Sequence, residues 1–364
     1  MDKEKQILQF IRLNPYISQQ ELADKLGVSR SAIAAIISHL TKAGEIKGRA
    51  YILREESAIL CIGTTNFDRK AQSTQKLILG TSNPVVYTES CGGVARNVAE
   101  NLARLGLNSS LLSCVGNDKE GLWVLEETRL NKVDVSLVSV LPDQRTGTYT
   151  AVLDTNGEMC ICLNDMTICE QITPKMVADR WSYVSSARMV FLDANVSSET
   201  LHYVISRCHE EGIQLFVDPV SLPDCLKLPE NLTGIDTIFP NRGEAALLAG
   251  MEKLENTEDF QEAARRIKAR GVRNVMITLG EKGIFYSSET GTELLMPTKA
   301  QEVVDVTGAG DAFAAGYMFG IVKGEEAEMA CRLGLSASAL TMQTDDSVSP
   351  KLQAELIYSM AYAK

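Results

Sequence analysis

The chain of 364 residues has few of the residues that build metal centres, disulfides or membrane spans. It contains three histidines, and its nine cysteines include no paired C-x-x-C motif, so a zinc site is not expected. Most cysteines, such as Cys61, Cys114 and Cys331, lie in apolar segments and are predicted to be small buried side chains of a reducing compartment. No run of about 18 consecutive apolar residues occurs, which argues against a membrane-spanning helix.

Two features that would assign a class directly are also missing. The segment Met1–Lys5 alternates in charge and no apolar stretch follows it, so no signal peptide is expected and the chain is expected to be cytoplasmic. The sequence has no G-x-x-x-x-G-K-[ST] loop, which excludes a nucleotide site of the Walker type.

Charge is distributed unevenly along the chain. Residues 1–54 contain nine Lys or Arg and five Asp or Glu, a net charge of +4, whereas the whole chain has a net charge of −11. Residues 55–364 therefore carry −15 by difference. A basic N-terminal segment on an acidic body indicates two functions, and an acidic body disfavours wrapping of nucleic acid around it.

Residues 1–54 are predicted to form a winged helix-turn-helix domain. Apolar residues at helical spacing mark a first helix, Ser18 and Glu21 form the capping-box pattern of a second, and Ser29 precedes a third. Residues 47–53 are predicted to form a small hairpin. This order of elements resembles the bacterial winged helix-turn-helix regulators, which implies binding to duplex DNA.

The residues predicted to contact DNA lie on the third helix and in the hairpin. They are Ser29, Arg30, Ser31, Lys47 and Arg49. Arginine suits base edges in the major groove, and basic side chains in the hairpin suit phosphates. A helical protein-interaction module of the same fold is the alternative, because the positive charge is modest. A single copy binds DNA weakly, so a homodimer is expected if the module acts on DNA.

The most informative segment is residues 302–312. A β-rich stretch, 302–304, turns through two glycines into an apolar helix that is predicted to begin at Ala312. The turn places several backbone N–H groups at a helix N-terminus, where developing negative charge is stabilised. These N–H groups belong to Gly308, Ala309 and Gly310. Asp311 lies at the mouth of the turn and is suited to deprotonating a hydroxyl that attacks a phosphoryl group.

A second glycine-rich element lies far upstream. Gly92 and Gly93 allow a ligand to approach the backbone closely, and Asn97 offers both a donor and an acceptor to a substrate hydroxyl. A buried strand is predicted at residues 59–63, and Asp68 follows its carboxyl end. Because ligands of open α/β sheets bind at the carboxyl ends of strands, Asp68 is predicted to bind two vicinal hydroxyls.

Together these three elements resemble the ribokinase-like (PfkB-type) carbohydrate and nucleoside kinases. The glycine pair with Asn97 matches the first signature of the family, and residues 305–317 match the second. The resemblance covers residues 57–364. It implies a doubly wound, mostly parallel α/β sheet flanked by helices, with a small β lid at residues 69–90 and 144–165.

The sequence itself also indicates the sheet and one hairpin of the lid. Alternating strands and helices are typical of a parallel sheet that is covered on both faces. The strands are predicted at residues 188–192, 214–217, 237–239 and 274–278, with a helix at 198–212. An Asn-Gly pair at 156–157 separates two β-prone runs and is a strong hairpin signal. Short strands are also predicted at 75–79 and 85–89, and a closed lid excludes water.

The resemblance further implies ATP, Mg²⁺ and a monovalent cation, K⁺. Asn241 and Glu244 look like the N-x-x-E motif of the family, which organises Mg²⁺ and its waters, although a helix N-cap fits the pattern equally well. The residues predicted to contact ATP are Asn241, Thr278, Gly280, Gly283 and Thr307. Asp305 and a later loop near 336–343 match the place where relatives hold the monovalent cation.

Several segments resemble the pseudouridine kinase branch of this family. They are residues 156–159, 164–166, 193–197 and 217–221, together with the arginine at position 96. The residues predicted to contact the substrate are Asn66, Asp68, Gly92, Gly93, Arg96, Asn97, Asn164, Asp165 and Asn195. The last three are assigned to the uracil base, because a site with paired donors and acceptors rejects analogues that leave buried polar groups unpaired. Their alternative roles are turn and loop capping.

The sequence therefore predicts an ATP-dependent kinase that phosphorylates the 5′-hydroxyl of pseudouridine, with Asp311 as the base. One alternative is a kinase for another nucleoside or a free sugar. The other is a transcriptional regulator whose kinase-like body senses a ligand. The intact turn at 308–311 argues against that reading, because a sensor does not need the base. No membrane is expected as a partner.

Overall fold

The computed structural model describes residues 3–13, 17–42, 58–289, 291–297 and 303–363. These residues fall into two compact units, one within Met1–Glu55 and the other within Glu56–Lys364. Among the described residues, none of the helices has the length and apolar character that crossing a bilayer requires.

The N-terminal unit contains three helices. They are α1 (Lys3–Leu13), α2 (Gln19–Leu26) and α3 (Arg30–Lys42). The Ser18 hydroxyl accepts the Glu21 N–H at 3.1 Å and the Glu21 carboxylate accepts the Ser18 N–H at 2.8 Å, so the predicted capping box is confirmed. One apolar face of each helix contributes to a small core of Ile7, Leu22, Ala23, Ile33 and Leu40. The predicted hairpin at 47–53 lies outside the described residues.

The second unit contains fourteen strands among the described residues. In chain order they are β1 (Ile59–Ile62), β2 (Asn66–Ser73), β3 (Val85–Gly92), β4 (Ser109–Leu112), β5 (Cys114–Gly116), β6 (Ser139–Leu141), β7 (Gly147–Leu153), β8 (Met159–Asp165), β9 (Met189–Asp193), β10 (Leu215–Asp218), β11 (Thr237–Ile238), β12 (Asn274–Thr278), β13 (Ile284–Ser287) and β14 (Thr292–Leu295).

The helices of the same unit surround these strands. They are α4 (Val94–Arg104), α5 (Lys119–Leu130), α6 (Pro174–Ala178), α7 (Trp181–Ser186), α8 (Ser198–Glu211), α9 (Leu222–Cys225), α10 (Arg242–Ala249), α11 (Thr257–Ala269), α12 (Ala309–Lys323), α13 (Ala327–Thr341) and α14 (Ala354–Tyr362). Short 3-10 turns lie at Thr167–Gln171 and Gly280–Lys282.

The main sheet has the order β14-β13-β12-β11-β10-β9-β1-β4. Its strands are parallel from β4 to β12, and β13 and β14 are antiparallel. Leu60 and Val190 pack into one core, whereas Cys61 and Phe191 pack into a second core on the opposite face. Because successive side chains of a strand point to opposite faces, these apolar strands bury both faces, as the sequence predicts. The predicted strands β9 to β12 and helix α8 are confirmed to within about one residue.

A second sheet, the lid, has the order β3-β2-β7-β8. The hairpin of β7 and β8 is present, and Gly157 adopts a positive φ in its turn. The predicted strand at 75–79 is wrong, because the first lid strand is β2 at Asn66–Ser73. The Asn83 side chain bonds both the N–H and the carbonyl of Ile78, at 2.8 and 2.9 Å, and so replaces strand pairing with a local turn.

Three further predictions near the second glycine motif need correction. Helix α12 begins at Ala309 and not at Ala312. Val303 and Val304 do not lie in a strand, and the Val304 N–H donates to the Met342 carbonyl at 2.7 Å. Residues 336–341 belong to helix α13 rather than to a loop, because α13 places an apolar stripe that includes Leu333, Ala337 and Leu340 in a buried core.

Candidate active site

The carboxyl ends of parallel strands meet at one edge of the main sheet, and polar side chains gather there. They surround a cavity of about 170 Å³. The lining residues are Val94, Asp218, Val220, Phe239, Asn241, Glu244, Thr278, Gly310 and Asp311. The structure therefore brings the predicted base, the N-x-x-E pair and the threonine that ends β12 to one cavity.

The N-terminus of α12 forms one wall of this cavity. Gly308 is the N-cap with a φ of 77°, and a side chain there would overlap the Ser347 carbonyl, so the turn requires glycine. A side chain at Gly310 would meet only open space. The Ala309 N–H donates to the Val306 carbonyl at a long 3.3 Å. Because the first N–H groups of a helix have no partner within the helix, this turn can receive an anion.

Asp311 lies in the first turn of α12 and is only 9% exposed. Its Oδ2 accepts the Asn97 Nδ2–H at 2.8 Å. The pKa of Asp311 is raised to about 7, chiefly by burial and also by the nearby carboxylates of Asp193 and Asp68, while the Asn97 hydrogen bond and the charge of Arg96 limit the rise. A general base works best with a pKa close to the operating pH.

Asp68 lies on β2, the lid strand that follows β1. Asn66 donates its side-chain N–H to the Asp68 carboxylate, and burial raises the pKa of Asp68 to about 6. The Gly92 Cα faces the same carboxylate so closely that a side chain there would overlap it. Gly93 has a φ of 104°, and a side chain there would overlap the Thr64 carbonyl. Both glycines thus serve close packing within the protein.

Asp193 is a fully buried carboxylate that the predicted site residues do not include. It accepts the Thr64 N–H at 2.7 Å, the Thr64 hydroxyl at 2.8 Å and the Ala95 N–H at 3.0 Å. It thereby joins the ends of β9 and β1 to the start of α4. A charged residue that ends an otherwise apolar strand is the sequence signal that would have identified it.

The three residues assigned to the uracil base lie in different places. The Asn195 Nδ2 donates to the Thr64 hydroxyl at 2.6 Å, close to Asp193. Asn164 is in register with Tyr149, which is in register with Asp68, so the three side chains share one face of the lid.

Asp165 lies on the other face of the lid from Asn164, because successive strand residues alternate. Its Oδ1 accepts the Thr167 hydroxyl at 2.8 Å and the Thr167 N–H at 3.2 Å, and these bonds lower its pKa. The structure therefore gives Asp165 the turn-capping role that was its alternative, and does not place it beside Asp68.

Arg96 is buried against protein groups. Its guanidinium forms an ion pair with Glu100, donates to the Asn97 Oδ1 at 3.0 Å and donates to the Thr128 hydroxyl at 3.2 Å. Arg96 is 4% exposed. Its N–H groups thus point to acceptors on α4 and α5.

Asn241 and Glu244 form a capping box at the start of α10. The Asn241 Oδ1 accepts the Glu244 N–H at 3.0 Å and the Glu244 Oε2 accepts the Asn241 N–H at 2.8 Å. Burial raises the pKa of Glu244, and burial together with the charges of Asp311 and Glu244 raises the pKa of Asp218. Among the described residues, no group of three or more His, Cys, Asp or Glu side chains is arranged to hold a metal ion.

Three of the residues predicted to contact ATP, Thr278, Gly280 and Gly283, lie at the end of β12 and in the short loop after it. Thr278 lines the cavity, and its N–H donates to the Pro240 carbonyl at 2.9 Å. Gly280 has open space beside its Cα, whereas a side chain at Gly283 would overlap the Leu295 carbonyl. Close packing against the end of β14 thus requires a glycine at position 283, whereas the open space beside Gly280 leaves room for a ligand.

Asp305 stands just before α12 and has a cationic partner from the lid. Its Oδ1 accepts the Thr307 N–H at 2.9 Å and the Thr307 hydroxyl at 2.8 Å, and its Oδ2 forms an ion pair with Lys70. These contacts lower the pKa of Asp305. Lys70 also donates to the Asp345 carbonyl at 3.2 Å. The sequence analysis missed Lys70, although it lies two residues after Asp68 and therefore shares its lid face.

The predicted DNA-contacting residues are partly described. Arg30 begins α3 and is exposed. The Ser29 hydroxyl accepts the Ala32 N–H at 3.2 Å and lies 3.0 Å from the Ser31 hydroxyl. Lys47 and Arg49 lie outside the described residues. Ser29 thus caps the helix, and Arg30 is presented to solvent.

Comparison with protein families identifies both units. The model of the pfkB family carbohydrate kinases matches residues 56–354, and that of the winged helix-turn-helix DNA-binding domain matches residues 2–47. The chain belongs to the pfkB family. It is a sugar or nucleoside kinase, a phosphotransferase that acts on a hydroxyl group of a small molecule. The family prediction is confirmed.

This PfkB kinase is similar to two curated proteins of Escherichia coli (strain K12). It is 33% identical to an uncharacterized sugar kinase, YeiI, over 99% of this chain and 98% of that protein. It is 32% identical to a pseudouridine kinase over 85% of this chain and 97% of that protein.

A solved structure confirms the predicted ribokinase-like fold. The ribokinase of Arabidopsis thaliana complexed with ribose and ATP superposes on this PfkB kinase with a TM-score of 0.77 and 22% identity. The match covers 85% of this chain and 99% of that ribokinase.

Proposed function

We propose that this PfkB kinase transfers the γ-phosphoryl group of ATP to the 5′-hydroxyl of pseudouridine. The observation that carries the proposal is Asp311, a buried carboxylate with a pKa of about 7 in the first turn of α12. The similarity to a pseudouridine kinase supports the substrate, and the solved ribokinase with ATP supports the phosphoryl donor.

In the proposed reaction Asp311 accepts the proton of the attacking hydroxyl. Its pKa of about 7 leaves a large fraction ionised at neutral pH, yet keeps the carboxylate basic enough to take the proton. The N–H groups of Gly308, Ala309 and Gly310 stabilise the charge on the transferring phosphoryl group. A closed lid keeps water away from the same position.

The proposed substrate contacts start at Asp68. Its pKa of about 6 leaves it mostly ionised at neutral pH, so it accepts hydrogen bonds from two ribose hydroxyls. Asn97 and Asn66 are proposed to provide amide groups to the same substrate. Gly92 and Gly93 are proposed to shape the site by packing closely against Asp68 and Thr64. Asn164 shares the lid face of Asp68 and is proposed to contact the base with Asn195. Arg96 and Asp165, which are engaged elsewhere, are not proposed as direct contacts.

We also propose that Mg²⁺ binds at the acidic side of the cavity. Asp218, Glu244 and Asp311 line one cavity, and the charges of Asp311 and Glu244 add to the effect of burial in raising the pKa of Asp218, so a divalent cation would relieve this repulsion. Asn241 and Glu244 would hold the ion through its waters, with Thr278 and Gly280 on the nucleotide side. The ion would neutralise phosphate oxygens of the bound nucleotide.

A monovalent cation at Asp305 fits less well. The carboxylate already has Lys70 on one oxygen and Thr307 on the other. A potassium ion would have to displace the ammonium group of Lys70, so no step of the reaction is derived from K⁺.

The second proposed function is DNA binding by the N-terminal unit. The match of residues 2–47 to a DNA-binding family and the exposed Arg30 at the start of α3 favour it. A homodimer would present two such units to one operator. Replacing Arg30 by Ala should weaken binding to specific duplex fragments more than binding to random DNA, in an electrophoretic mobility assay with the full chain. Equal binding of both proteins to all fragments would contradict sequence-specific recognition.

The enzymatic proposal is tested by ADP release with Mg-ATP and a panel of acceptors. The panel contains pseudouridine, uridine, other nucleosides, ribose and fructose. We expect a clear preference for pseudouridine, lost in Asp311→Asn. Turnover of another acceptor only would keep the kinase and reject the substrate, whereas tight binding of one acceptor with no turnover would favour the ligand-sensing regulator.

A further inference from the structure

A chain of buried side chains lies behind the candidate base. Arg104 donates to Glu100 at 2.8 Å, Glu100 pairs with Arg96, Arg96 donates to Asn97 at 3.0 Å, and Asn97 donates to Asp311 at 2.8 Å. Four of these residues are less than 10% exposed. This series of contacts thus connects the last turn of α4, at Arg104, to the first turn of α12, at Asp311.

The contacts of Asn97 fix the direction of its amide group. Its Oδ1 accepts an N–H of Arg96, and its Nδ2 donates to the Asp311 carboxylate. In the flipped orientation the amide oxygen would face a carboxylate and the amide N–H groups would face a guanidinium, so both contacts would be repulsive. An arginine on one side therefore ensures that a donor stands on the other.

The guanidinium of Arg96 is itself held on two further sides. Glu100 lies four residues later on α4, one turn away, and Thr128 of α5 accepts the Nε–H at 3.2 Å. A guanidinium has its donors in a rigid planar fork, so three acceptors define its position. A buried ion pair adds little net stability, because desolvation offsets its attraction. The role of the Arg96–Glu100 pair here is to fix the orientation of the guanidinium.

We propose that Arg96 is a positioning residue, which holds the Asn97 amide so that it donates to Asp311 and directs that carboxylate at the attacking hydroxyl. This inference rests on the proposed role of Asp311 as the base. In this role Arg96 acts through the Asn97 amide and through its own nearby charge, and not by contact with the substrate.

The charges around Asp311 make this role measurable. The carboxylates of Asp193 on β9 and Asp68 on β2 oppose its ionisation, Asp218 on β10 is coupled to it, and Glu244 on α10 lines the same cavity. Lys70 on β2 is paired with Asp305, so Arg96 and the Asn97 N–H are the groups that favour the ionised form of Asp311. Removing Arg96 should raise the pKa of Asp311.

The test compares Arg96→Met with Arg104→Met. Both variants remove an arginine of α4 that pairs with Glu100, but only Arg96 contacts Asn97. We expect Arg96→Met to lower kcat about 10- to 100-fold, as misplaced catalytic groups do. The acid limb of its pH–kcat/KM profile should move up by about one unit. Arg104→Met should keep the wild-type profile, and Arg96→Lys, which keeps the charge and a donor, should recover part of the loss.

A second readout needs no substrate. The carboxyl ¹³C signal of Asp311, assigned with Asp311→Asn in ¹³C-labelled full-length protein, should titrate at higher pH in Arg96→Met than in Arg104→Met. Equal titration of Asp311 in the two variants would overturn the inference, even if the enzyme phosphorylated none of the panel acceptors. If Arg96→Met does not fold, the same comparison is made with Arg96→Lys, for which an unchanged titration and unchanged kcat would contradict the rigid-fork role.

Discussion

Two aspartates flank the turn that opens α12, and their surroundings give them opposite character. Asp305 lies before the turn, pairs with Lys70 and accepts two bonds from Thr307, so its pKa is lowered. Asp311 lies after the turn, is buried, and has a pKa of about 7. The comparison teaches that position relative to the helix and the cavity, rather than residue type, decides which carboxylate can act as a base.

The largest expected effect is on catalysis by Asp311→Asn. The variant keeps the size of the side chain and removes the proton acceptor, so kcat should fall by roughly 10²- to 10⁴-fold. Asp305→Asn is the matched control on the other side of the turn, and it should lose far less. Steady-state ADP release measures both, and similar losses would show that the two carboxylates do not differ in role.

The second expected effect is on stability. The pKa of Asp311 rises from 3.8 to about 7 on folding, so the folded protein retains a proton that the unfolded chain releases. The free energy of unfolding therefore falls as pH rises from about 4 to about 7 through this group. At about 1.4 kcal/mol per pKa unit, the cost at pH 8 has an upper limit of about 4 kcal/mol.

Asp311→Asn removes this ionisation, so the variant tests whether the pH dependence of stability comes from Asp311 and not from Asp305. Its free energy of unfolding relative to wild type should increase between pH 4 and pH 7 and stay constant above that range. Denaturant unfolding at pH 4.5 and pH 8 measures the difference, with Asp305→Asn as the control. A relative stability that does not change with pH would mean that Asp311 is not perturbed by burial.

A smaller effect is expected from the Lys70–Asp305 pair. Partly exposed ion pairs contribute up to about 1 kcal/mol, so Lys70→Met should lower kcat/KM by less than about tenfold. Because the ammonium group already occupies the Asp305 carboxylate, exchange of K⁺ for Na⁺ should leave wild-type turnover unchanged. Strong activation by K⁺ in the wild type would instead restore the predicted cation site.

The smallest effect should come from Asp165 on the lid. Asn164 shares the face of Asp68 and Asp165 does not, so Asn164→Ala should raise KM for the nucleoside several-fold. Asp165→Asn should leave KM unchanged, because its carboxylate caps the turn at Thr167. A larger KM increase in the Asp165 variant would reverse the assignment of the two lid faces.

Local patterns predicted much of this arrangement. Gly308, Gly310 and Asp311 lie within four consecutive residues. Their proximity in the first turn of α12 therefore follows from the sequence spacing alone. The alternating strands likewise determine a common carboxyl edge. The sequence predicts the start of α12 three residues too late, because glycine and alanine between strand and helix do not mark where helical geometry begins.

Contacts between distant segments could not be predicted in the same way. Lys70 and Asp305 are separated by 235 positions, and Asp193 meets Thr64 across 129. No local signal specifies such pairs, because they depend on how the lid and strands are placed in space. Arg96 is intermediate: its spacing to Glu100 allows an ion pair on one helix, but its role beside Asn97 requires the folded structure.

The pH dependence of kcat/KM in the wild-type enzyme tests the central claim most directly. With the best acceptor of the panel and saturating Mg-ATP, the account predicts an acid limb with an apparent pKa near 7, along which activity falls tenfold per unit of pH until Asp68 also takes up a proton near pH 6. The limb near pH 7 should be absent from the residual activity of Asp311→Asn. A flat profile between pH 5 and pH 8 would contradict the assignment of Asp311 as the base.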